Sequence, residues 1–219
     1  MIDFSRARQN MVESQLRTNQ VTDERVLAGF ETVPRELFVA EGRAGVAYCD
    51  EDISCGAGRC LMEPMILARL LQALGIGAND VVLDVGCGTG YSSAVIARLA
   101  ATVVGLECEP TLVARANALM TELAIDNVVI AEGALDAGHP AQAPYDAILV
   151  NGAAEEVPSA LTDQLVEGGR LGVVCLAAGC RTGSATLFVR SGGVVSGRKL
   201  FDAAVPLLPG FESRKGFVF

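Results

Sequence analysis

The residues best suited to chemistry lie where a short apolar segment, 81–85, runs into the glycine loop Gly86-Cys87-Gly88-Thr89-Gly90. Glycine has no Cβ, so such a loop lets the backbone approach a ligand closely at the carboxyl end of a strand. Glu107 lies 23 residues after Asp84, near the end of the next predicted strand. An acidic side chain there can bind the two hydroxyl groups of a ribose. The spacing therefore predicts a site for a ribose-containing cofactor.

The glycine spacing separates two classes of cofactor. A dinucleotide fingerprint has glycines at its first, third and sixth positions, but the sixth position counted from Gly86 is Tyr91. The order Asp-x-Gly-x-Gly-x-Gly instead resembles the S-adenosylmethionine-binding loop of Rossmann-like methyltransferases. That cofactor carries a cationic amine and a sulfonium, which suits an acid such as Asp84, and its product is S-adenosylhomocysteine. The alternative is a structural strand–turn–helix whose glycines bind nothing.

The resemblance also implies which residues surround the cofactor. Glu107 is expected at the ribose, and residues after the second and third strands are expected near the adenosine. The full set of expected cofactor residues is Asp84, Gly86, Cys87, Gly88, Thr89, Glu107, Cys108, Gly133 and Ala134. No metal is expected, because the chain has one histidine and no cysteines spaced as C-x-x-C.

The elements that must position this loop alternate between strands and helices. Apolar segments predict strands at 81–85, 102–106, 127–131, 145–150 and 170–175, with helices at 91–99, 110–123 and 158–165. Continuous apolar strands between helices indicate a mainly parallel sheet covered on both faces. Segments 185–190 and 194–200 flank Ser191-Gly192-Gly193, which predicts an antiparallel C-terminal hairpin. The predicted fold class is therefore α/β, with a Rossmann-like methyltransferase arrangement.

The first 75 residues have a different sequence pattern, in which apolar residues recur at helical spacing between Met11 and Phe30. Thr22 is predicted to cap the second helix, Pro34 to begin a short turn over 34–38, and residues 50–60 to form a loop. A helix is predicted over 65–74, with Pro64 at its start. We therefore expect an N-terminal helical accessory region, 1–75, and a cofactor-binding core, 76–219, within one compact domain.

Beyond the loop, the chain to about residue 171 resembles the protein-L-isoaspartate O-methyltransferase family. The N-terminal matches are more specific than the loop, because methyltransferases of this fold differ mainly in such additions. The matching residues are Met11-Val12, Gln15-Leu16, Asp23, Val26-Leu27, Val33-Pro34-Arg35, Phe38-Val39, Ala47-Tyr48, Gly56, Gly58, Pro64, Ala143-Pro144-Tyr145-Asp146-Ala147-Ile148, Gln164-Leu165 and Gly168-Gly169-Arg170-Leu171.

Three departures from the family cluster around one pocket. Where the family has Gly-x-Gly-Gln-Thr-Ile-Ser-x-Pro, this chain has Arg59 for the glutamine, Cys60 for the threonine and Met62 for the serine. The family's Gly-Asp after the third strand is Gly133-Ala134, and its Val-Thr-Ala after the fourth is Val150-Asn151-Gly152. The expected acceptor-side, catalytic residues are thus Arg59, Met62 and Asn151. Arg59 is expected to clamp a substrate anion and compensate for Met62, with an ordinary solvated arginine as the alternative.

The resemblance implies methyl transfer to the free α-carboxylate of an isoaspartyl residue in a damaged protein or peptide. A carboxylate with a pKa of about 4 is already ionised at neutral pH, so the nucleophile needs no general base. This suits a chain with one histidine and no evident acid–base pair. Two alternatives stay open, because methionine cannot replace the family's hydroxyl donor. They are methylation of another carboxylate, on a small molecule or a protein, and S-adenosylmethionine binding without turnover.

Further residues receive provisional roles from their positions. Asp146, at the start of the fourth strand, is predicted to be structural. Tyr48 and Asp50 are expected to line the acceptor pocket, and His139 to lie in a surface loop. The C-terminal residues 214–219 are expected to be an exposed tail end.

Composition and charge exclude several classes of protein. With 219 residues, 51% of them apolar, the chain supports one sizeable core and is neither disordered nor collagen-like. A net charge of −9 argues against general nucleic-acid binding and against bulk steering of anionic acceptors. The longest charge-free stretch, 85–97, has 13 residues, too few for a membrane span. Seven cysteines, an odd number, and no secretory signal predict reduced thiols and a cytoplasmic location.

Overall fold

The computed structural model describes residues 2–213. Met1 and the predicted tail, residues 214–219, lie outside the described part of the chain. The helices are α1 (Phe4–Met11), α2 (Glu24–Thr32), α3 (Pro64–Leu74), α4 (Tyr91–Ile96), α5 (Pro110–Glu122) and α6 (Ser159–Thr162). The strands are β1 (Ile53–Gly56), β2 (Arg59–Leu61), β3 (Val81–Val85), β4 (Thr102–Glu107), β5 (Val128–Glu132), β6 (Tyr145–Ala154), β7 (Leu165–Cys175), β8 (Gly183–Ser191) and β9 (Val194–Ala203).

Seven strands form one sheet in the order β5-β4-β3-β6-β7-β8-β9. Strands β5, β4, β3, β6 and β7 are parallel; β8 pairs antiparallel with β7, and β9 pairs antiparallel with β8. Successive residues of β3 alternate between two buried clusters, Val82 in one and Leu83 in the other, so both faces of the sheet are covered. The predicted α/β fold class, with its C-terminal antiparallel hairpin, is confirmed.

The order of the strands creates a crevice where a ligand can bind. From β3 the chain moves outward through β4 to β5, then returns to place β6 on the other side of β3. This is a topological switch point, and open α/β sheets bind ligands outside the carboxyl ends of their strands at such points. The glycine loop follows β3 and Glu107 ends β4, so both lie at this edge.

The accessory segments pack against the sheet through apolar faces. Helix α3 begins at Pro64, as predicted, and ends at Gly75, which adopts the left-handed conformation with a φ of 55°. Leu67, Leu70 and Leu74 of α3 are almost fully buried, and α3 contacts β7 and β8. After α1, a π-helical turn at 12–16 continues the helical spacing that the sequence predicted.

Some predicted elements differ from the structure. The predicted loop at 50–60 contains the β1–β2 hairpin, whose turn residues Ala57 and Gly58 have φ angles of 49° and 73°. The cap of α2 is Asp23, whose carboxylate accepts the Arg25 amide, so the prediction of Thr22 as the cap is wrong. The helix predicted over 158–165 is only Ser159–Thr162, because Leu165 pairs with Tyr145 in the β6–β7 ladder.

The remaining boundaries shift by smaller amounts. Helix α4 ends at Ile96 instead of residue 99, where the chain tightens into a turn in which the Arg98 amide donates to the Val95 carbonyl. Strand β6 runs to Ala154, four residues past the prediction, because its pairing with β7 resumes after an irregularity. Within residues 2–213, the helices are too short or too polar to traverse a lipid bilayer.

Candidate cofactor and acceptor site

The glycine loop needs backbone conformations that other residues rarely adopt. Gly86, Gly88 and Gly90 have φ angles of 78°, 57° and 91°. A Cβ on Gly86 would lie 2.6 Å from Arg59 Nη2 and 3.1 Å from a Leu208 methyl carbon. The first contact would displace the end of the Arg59 side chain and the second would crowd Leu208, so both the φ angle and the packing favour glycine at this position.

Two backbone amides, one of them from the glycine loop, hold Glu107 in place. Its side chain is fully buried, and its Oε2 accepts the Gly88 amide at 2.8 Å. Its Oε1 accepts the Cys108 amide at 2.9 Å. Backbone donors therefore fix the carboxylate at the carboxyl end of β4, beside the loop.

Arg59 lies over this carboxylate. Strand β2 directs its side chain to the loop, where Nη2 donates to the Gly86 carbonyl at 2.8 Å and Nε lies 3.5 Å from Glu107 Oε2. Only 8% of Arg59 is exposed, and its Nε has no hydrogen-bond partner in the described chain. The alternative of an ordinary solvated arginine is therefore wrong, and the guanidinium belongs to the cofactor edge as well as to the acceptor pocket.

Asp84 lies behind the loop. It is fully buried, and its Oδ2 accepts hydrogen bonds of 2.6 Å from the hydroxyls of Ser92 and Ser93. Its Oδ1 has no partner within residues 2–213. Burial raises the pKa of Asp84 to about 6, against the opposing effect of the two hydroxyls. The sequence did not indicate the serines, although both stand in the first turn of the helix after the loop.

Asn151 joins this network in an orientation that hydrogen bonding fixes. Its Nδ2 donates to Ser92 Oγ at 2.6 Å, and the Ser92 hydroxyl donates its own proton to Asp84. Ser92 can then only accept from Asn151, so the amide must turn its Oδ1 away from the network. That Oδ1 is buried and has no hydrogen-bond partner among the residues described.

A pocket with about 480 Å³ of empty space, partly open to solvent, adjoins the loop. The predicted acceptor residues Arg59, Met62 and Asn151 all line it. Its opposite wall is the segment 205–209, which sequence reasoning missed, and Asp52 also lines it. Cys60, on β2, also lines the pocket. Burial raises the pKa of its thiol, so a reactive thiolate is not favoured.

Tyr48 and Asp50 are not among the residues that line this pocket. Tyr48 instead receives a hydrogen bond from Arg8 Nε and donates a short one to Glu36. The expectation that the two residues line the acceptor pocket is wrong, because Tyr48 is held within the accessory helices. His139 is partly exposed, and its carbonyl accepts the Tyr145 hydroxyl.

The other predicted cofactor residues divide into two groups. Cys87 and Thr89 are buried, and the Thr89 hydroxyl donates to the Phe38 carbonyl at 2.6 Å, so their backbones form the loop surface. Cys108 and Ala134 are exposed at the carboxyl ends of β4 and β5, and the Gly133 amide donates to the Glu107 carbonyl at 3.1 Å. The structure therefore brings Cys108, Gly133 and Ala134 to the edge that holds Glu107.

Asp146 has the structural role that its position predicted. Its Oδ2 accepts the Val81 amide at 2.8 Å, which ties the start of β6 to the start of β3. This contact lies at the opposite end of the strands from the glycine loop. The seven cysteines all lie within the described residues, and none forms a disulfide.

The donor set fits a nucleoside cofactor. Three glycines adopt left-handed conformations at the carboxyl end of β3, and a carboxylate fixed by backbone amides stands beside them for a ribose. Gly133, partly exposed, and Ala134, exposed, continue this edge of the sheet. Arg59 adds a buried cation beside Glu107.

Comparisons with known proteins agree with this geometry. A family model described as protein-L-isoaspartate(D-aspartate) O-methyltransferase matches residues 6–200. Protein-L-isoaspartate O-methyltransferase 2 of Anaeromyxobacter sp. (strain Fw109-5) is 43% identical over 164 residues, 75% of this chain and 68% of that protein. A protein-L-isoaspartate O-methyltransferase of Roseiflexus castenholzii is 36% identical over 211 residues, 95% of each chain.

Two solved structures share the fold. One, named protein-L-isoaspartate O-methyltransferase, matches with a TM-score of 0.82 and 26% identity over 93% of this chain and 66% of its own. A Plasmodium falciparum structure that provisionally carries the same enzyme name was solved in complex with S-adenosyl-L-homocysteine. It matches with a TM-score of 0.78 and 23% identity over 92% of this chain and 97% of its own. The family match over most of the sequence confirms the predicted resemblance, and the chain belongs to the protein-L-isoaspartate(D-aspartate) O-methyltransferase family.

Proposed function

We propose that the protein transfers a methyl group from S-adenosylmethionine to the α-carboxylate of isoaspartyl residues in proteins or peptides. Family membership supports this reaction, and one observation in the structure carries it. The pocket lined by Arg59, Met62 and Asn151 is joined to the glycine loop by Arg59, whose Nη2 donates to the Gly86 carbonyl at 2.8 Å. A carboxylate held by Arg59 would therefore lie next to the loop, as direct transfer between two bound partners requires.

The cofactor is proposed to bind along the carboxyl ends of β3, β4 and β5. Glu107 would hold the ribose hydroxyls, the loop 86–90 would support the amino-acid part, and Cys108, Gly133 and Ala134 would lie at the adenosine. When bound, S-adenosylmethionine supplies an electrophilic methyl group that a carboxylate oxygen takes directly, leaving S-adenosylhomocysteine and a methyl ester. Asp84, behind the loop, supports it through Ser92 and Ser93.

On the acceptor side, the chain needs to bind and orient an anion that is already ionised. A guanidinium can hold a carboxylate through two parallel hydrogen bonds, which makes Arg59 the proposed clamp. The unpaired Asn151 Oδ1 can only accept, so it would repel a carboxylate oxygen and suits an N–H group instead. An isoaspartyl residue carries such an N–H on the carbon that bears its α-carboxylate. Met62 would supply an apolar wall.

The accessory region 1–75 is proposed to shape the acceptor side. Arg35, fully buried, donates from Nε to the Ala47 carbonyl at 2.7 Å and from Nη2 to the Met62 carbonyl at 2.9 Å. Its guanidinium also lies 4.7 Å from the centre of the Tyr91 ring, in the first turn of α4. One buried cation thus connects the accessory helices, the acceptor wall and the helix after the loop. Reduced cysteines and a cytoplasmic site of action fit this proposal.

The test combines binding with transfer. Calorimetry measures S-adenosylhomocysteine binding, and a radiolabelled methyl assay compares an isoaspartyl peptide with its aspartyl isomer of the same sequence. Binding with transfer to the isoaspartyl peptide alone supports the proposal. Binding without transfer to either peptide would favour the alternatives raised by Met62, another carboxylate acceptor or binding without turnover. Absence of binding would contradict all three functions.

A further inference from the structure

The acid that is expected to hold the ribose is closed to solvent. Glu107 is fully buried: its Oε2 accepts the Gly88 amide and also faces Arg59 Nε, and its Oε1 accepts the Cys108 amide. Arg59 also donates to the Gly86 carbonyl, so its guanidinium lies across both parts of the cofactor cradle. A ribose cannot reach Glu107 while Arg59 stays in this position.

The contact between Arg59 and Glu107 has the geometry of a pair that can exchange. Its Nε–Oε2 distance is 3.5 Å, whereas good charge-assisted hydrogen bonds are about 2.7–2.9 Å long. The Nε proton has no hydrogen-bond acceptor in the described chain, although this side of the guanidinium is buried. Glu107 in turn keeps the amides of Gly88 and Cys108, so it would remain partnered if Arg59 left.

The Arg59 side chain has a second possible binding partner, an anion in the acceptor pocket. The same side chain lines the acceptor pocket, together with Met62 and Asn151. An anion in that pocket would offer the guanidinium a two-point contact in place of the single long one to Glu107. In a chain with a net charge of −9, a carboxylate acceptor needs such a local cation.

We propose that Arg59 is an exchangeable cation that covers Glu107 in the free protein, leaves it when the cofactor's ribose binds, and then holds the acceptor carboxylate. The cofactor therefore binds before the acceptor, and each strengthens the binding of the other, because coupling between two sites is reciprocal. The part that concerns the acceptor rests on the proposed methyl transfer. The part that concerns Glu107 rests only on the proposed placement of the cofactor's ribose.

The first arm of the experiment uses no acceptor. Calorimetry measures S-adenosylhomocysteine binding to the wild type, to Arg59→Gln and to Arg198→Gln, which removes one exposed positive charge on β9, five strands away from β4 and Glu107. We expect Arg59→Gln to bind about tenfold more tightly than the wild type, because no cation has to be displaced. Arg198→Gln should bind as the wild type does. Unchanged or weaker binding by a folded Arg59→Gln protein would overturn the proposal.

The second arm is measured on the wild type, so it does not depend on how well the variant folds. An isoaspartyl peptide at saturating concentration should tighten S-adenosylhomocysteine binding several-fold, and the aspartyl isomer should have no effect. Equal binding with and without the isoaspartyl peptide would overturn the coupling. Methyl transfer to the same peptide, assayed separately, reports on the proposed function, so the two failures can be told apart.

Discussion

The two sides of the site are built in different ways. The cofactor side consists of backbone at the carboxyl ends of parallel strands, and the amides of this backbone hold Glu107. The acceptor side consists of side chains from a short hairpin and from the segment 205–209, and it contains two buried polar atoms, Arg59 Nε and Asn151 Oδ1, without hydrogen-bond partners in residues 2–213. In the proposed site, backbone geometry would therefore specify the cofactor, whereas side chains would specify the acceptor. This explains why the departures from the family gather mainly on the second side.

The largest expected effect comes from replacing one glycine on each side of the site by alanine, which adds a methyl group at that position. Gly86 and Gly58 have similar φ angles, 78° and 73°. A Cβ on Gly86 would meet Arg59 and Leu208, whereas a Cβ on Gly58 has no described atom within 4 Å. The crowding against Leu208 remains when Arg59 moves away, and it should shift the loop from the geometry that binds the ligand. Gly86→Ala should therefore weaken S-adenosylhomocysteine binding roughly a hundredfold, which corresponds to about 3 kcal/mol. Calorimetry on the folded variant measures this loss.

Gly58→Ala is the matched control for this comparison. It has the same backbone strain, of order 1 kcal/mol, without the steric contacts. We expect a small fall in thermal stability and cofactor affinity within about threefold of the wild type. Equal losses of affinity in the two variants would show that the cofactor side does not depend on close approach at Gly86.

The second effect concerns pH and stability. Burial raises the pKa of Asp84 from 3.8 to about 6, so the folded protein binds a proton more tightly than the unfolded chain does. This proton binding therefore stabilises the folded protein fully below pH 4. The stabilisation is lost as the pH rises to about 6, which lowers the free energy of unfolding by about 3 kcal/mol. Urea unfolding between pH 4 and pH 7 should show this fall, and Asp84→Asn should remove it, because asparagine keeps an oxygen for the two serines.

Glu63, at the start of α3 on the acceptor side, provides the comparison. Burial and the nearby carboxylates of Asp50, Asp52 and Glu51 raise the pKa of Glu63 to about 7. The pKa shifts in the same direction, but Glu63 is partly exposed, so solvent screening limits the loss of stability to about 1 kcal/mol at most. If Glu63→Gln changed the pH dependence of the unfolding free energy more than Asp84→Asn does, the result would contradict the view that Asp84, on the cofactor side, is the more strongly desolvated carboxyl group.

The third effect tests the substitution of the family's serine. Met62 is 4% exposed and lines the acceptor pocket. Met62→Ser restores a hydroxyl donor, and we expect kcat/KM for an isoaspartyl peptide to rise about tenfold. The lost packing should lower the free energy of unfolding by about 2–3 kcal/mol. Met62→Ala makes a similar cavity without a hydroxyl, so it should lose the same stability and gain no rate.

The sequence predicted the glycine loop and the strands on either side of it because their signals are local. An apolar strand, three glycines at fixed spacing and an acid at the end of the next strand are all short-range patterns. Pro64 likewise marked the start of α3. Each of these features depends on residues that are close in the chain, so one segment carries the whole signal.

The acceptor side was harder to predict because its geometry depends on contacts between distant segments. The strands β1 and β2 have only four and three residues, too few to show an alternating pattern. The segment 205–209 reaches the pocket because the Ala153 amide donates to the Pro206 carbonyl at 2.8 Å. The burial of Arg59 depends on Glu107, on a strand of the other sheet. Contacts of this kind, between segments far apart in the chain, cannot be predicted from a short stretch of sequence.

The smallest effect comes from a carboxylate at the opposite end of the same strands. Asp146 accepts the Val81 amide at 2.8 Å where β6 and β3 begin, so it is part of neither side of the site. Asp146→Ala leaves that amide without its acceptor and should lower the free energy of unfolding by about 1 kcal/mol. Asp146→Asn keeps an oxygen acceptor and should retain most of that stability. Cofactor affinity and kcat/KM should match the wild type in both variants. A change in either would mean that the two ends of β3 are coupled, and the division of the molecule into a cofactor side, an acceptor side and a supporting sheet would then fail.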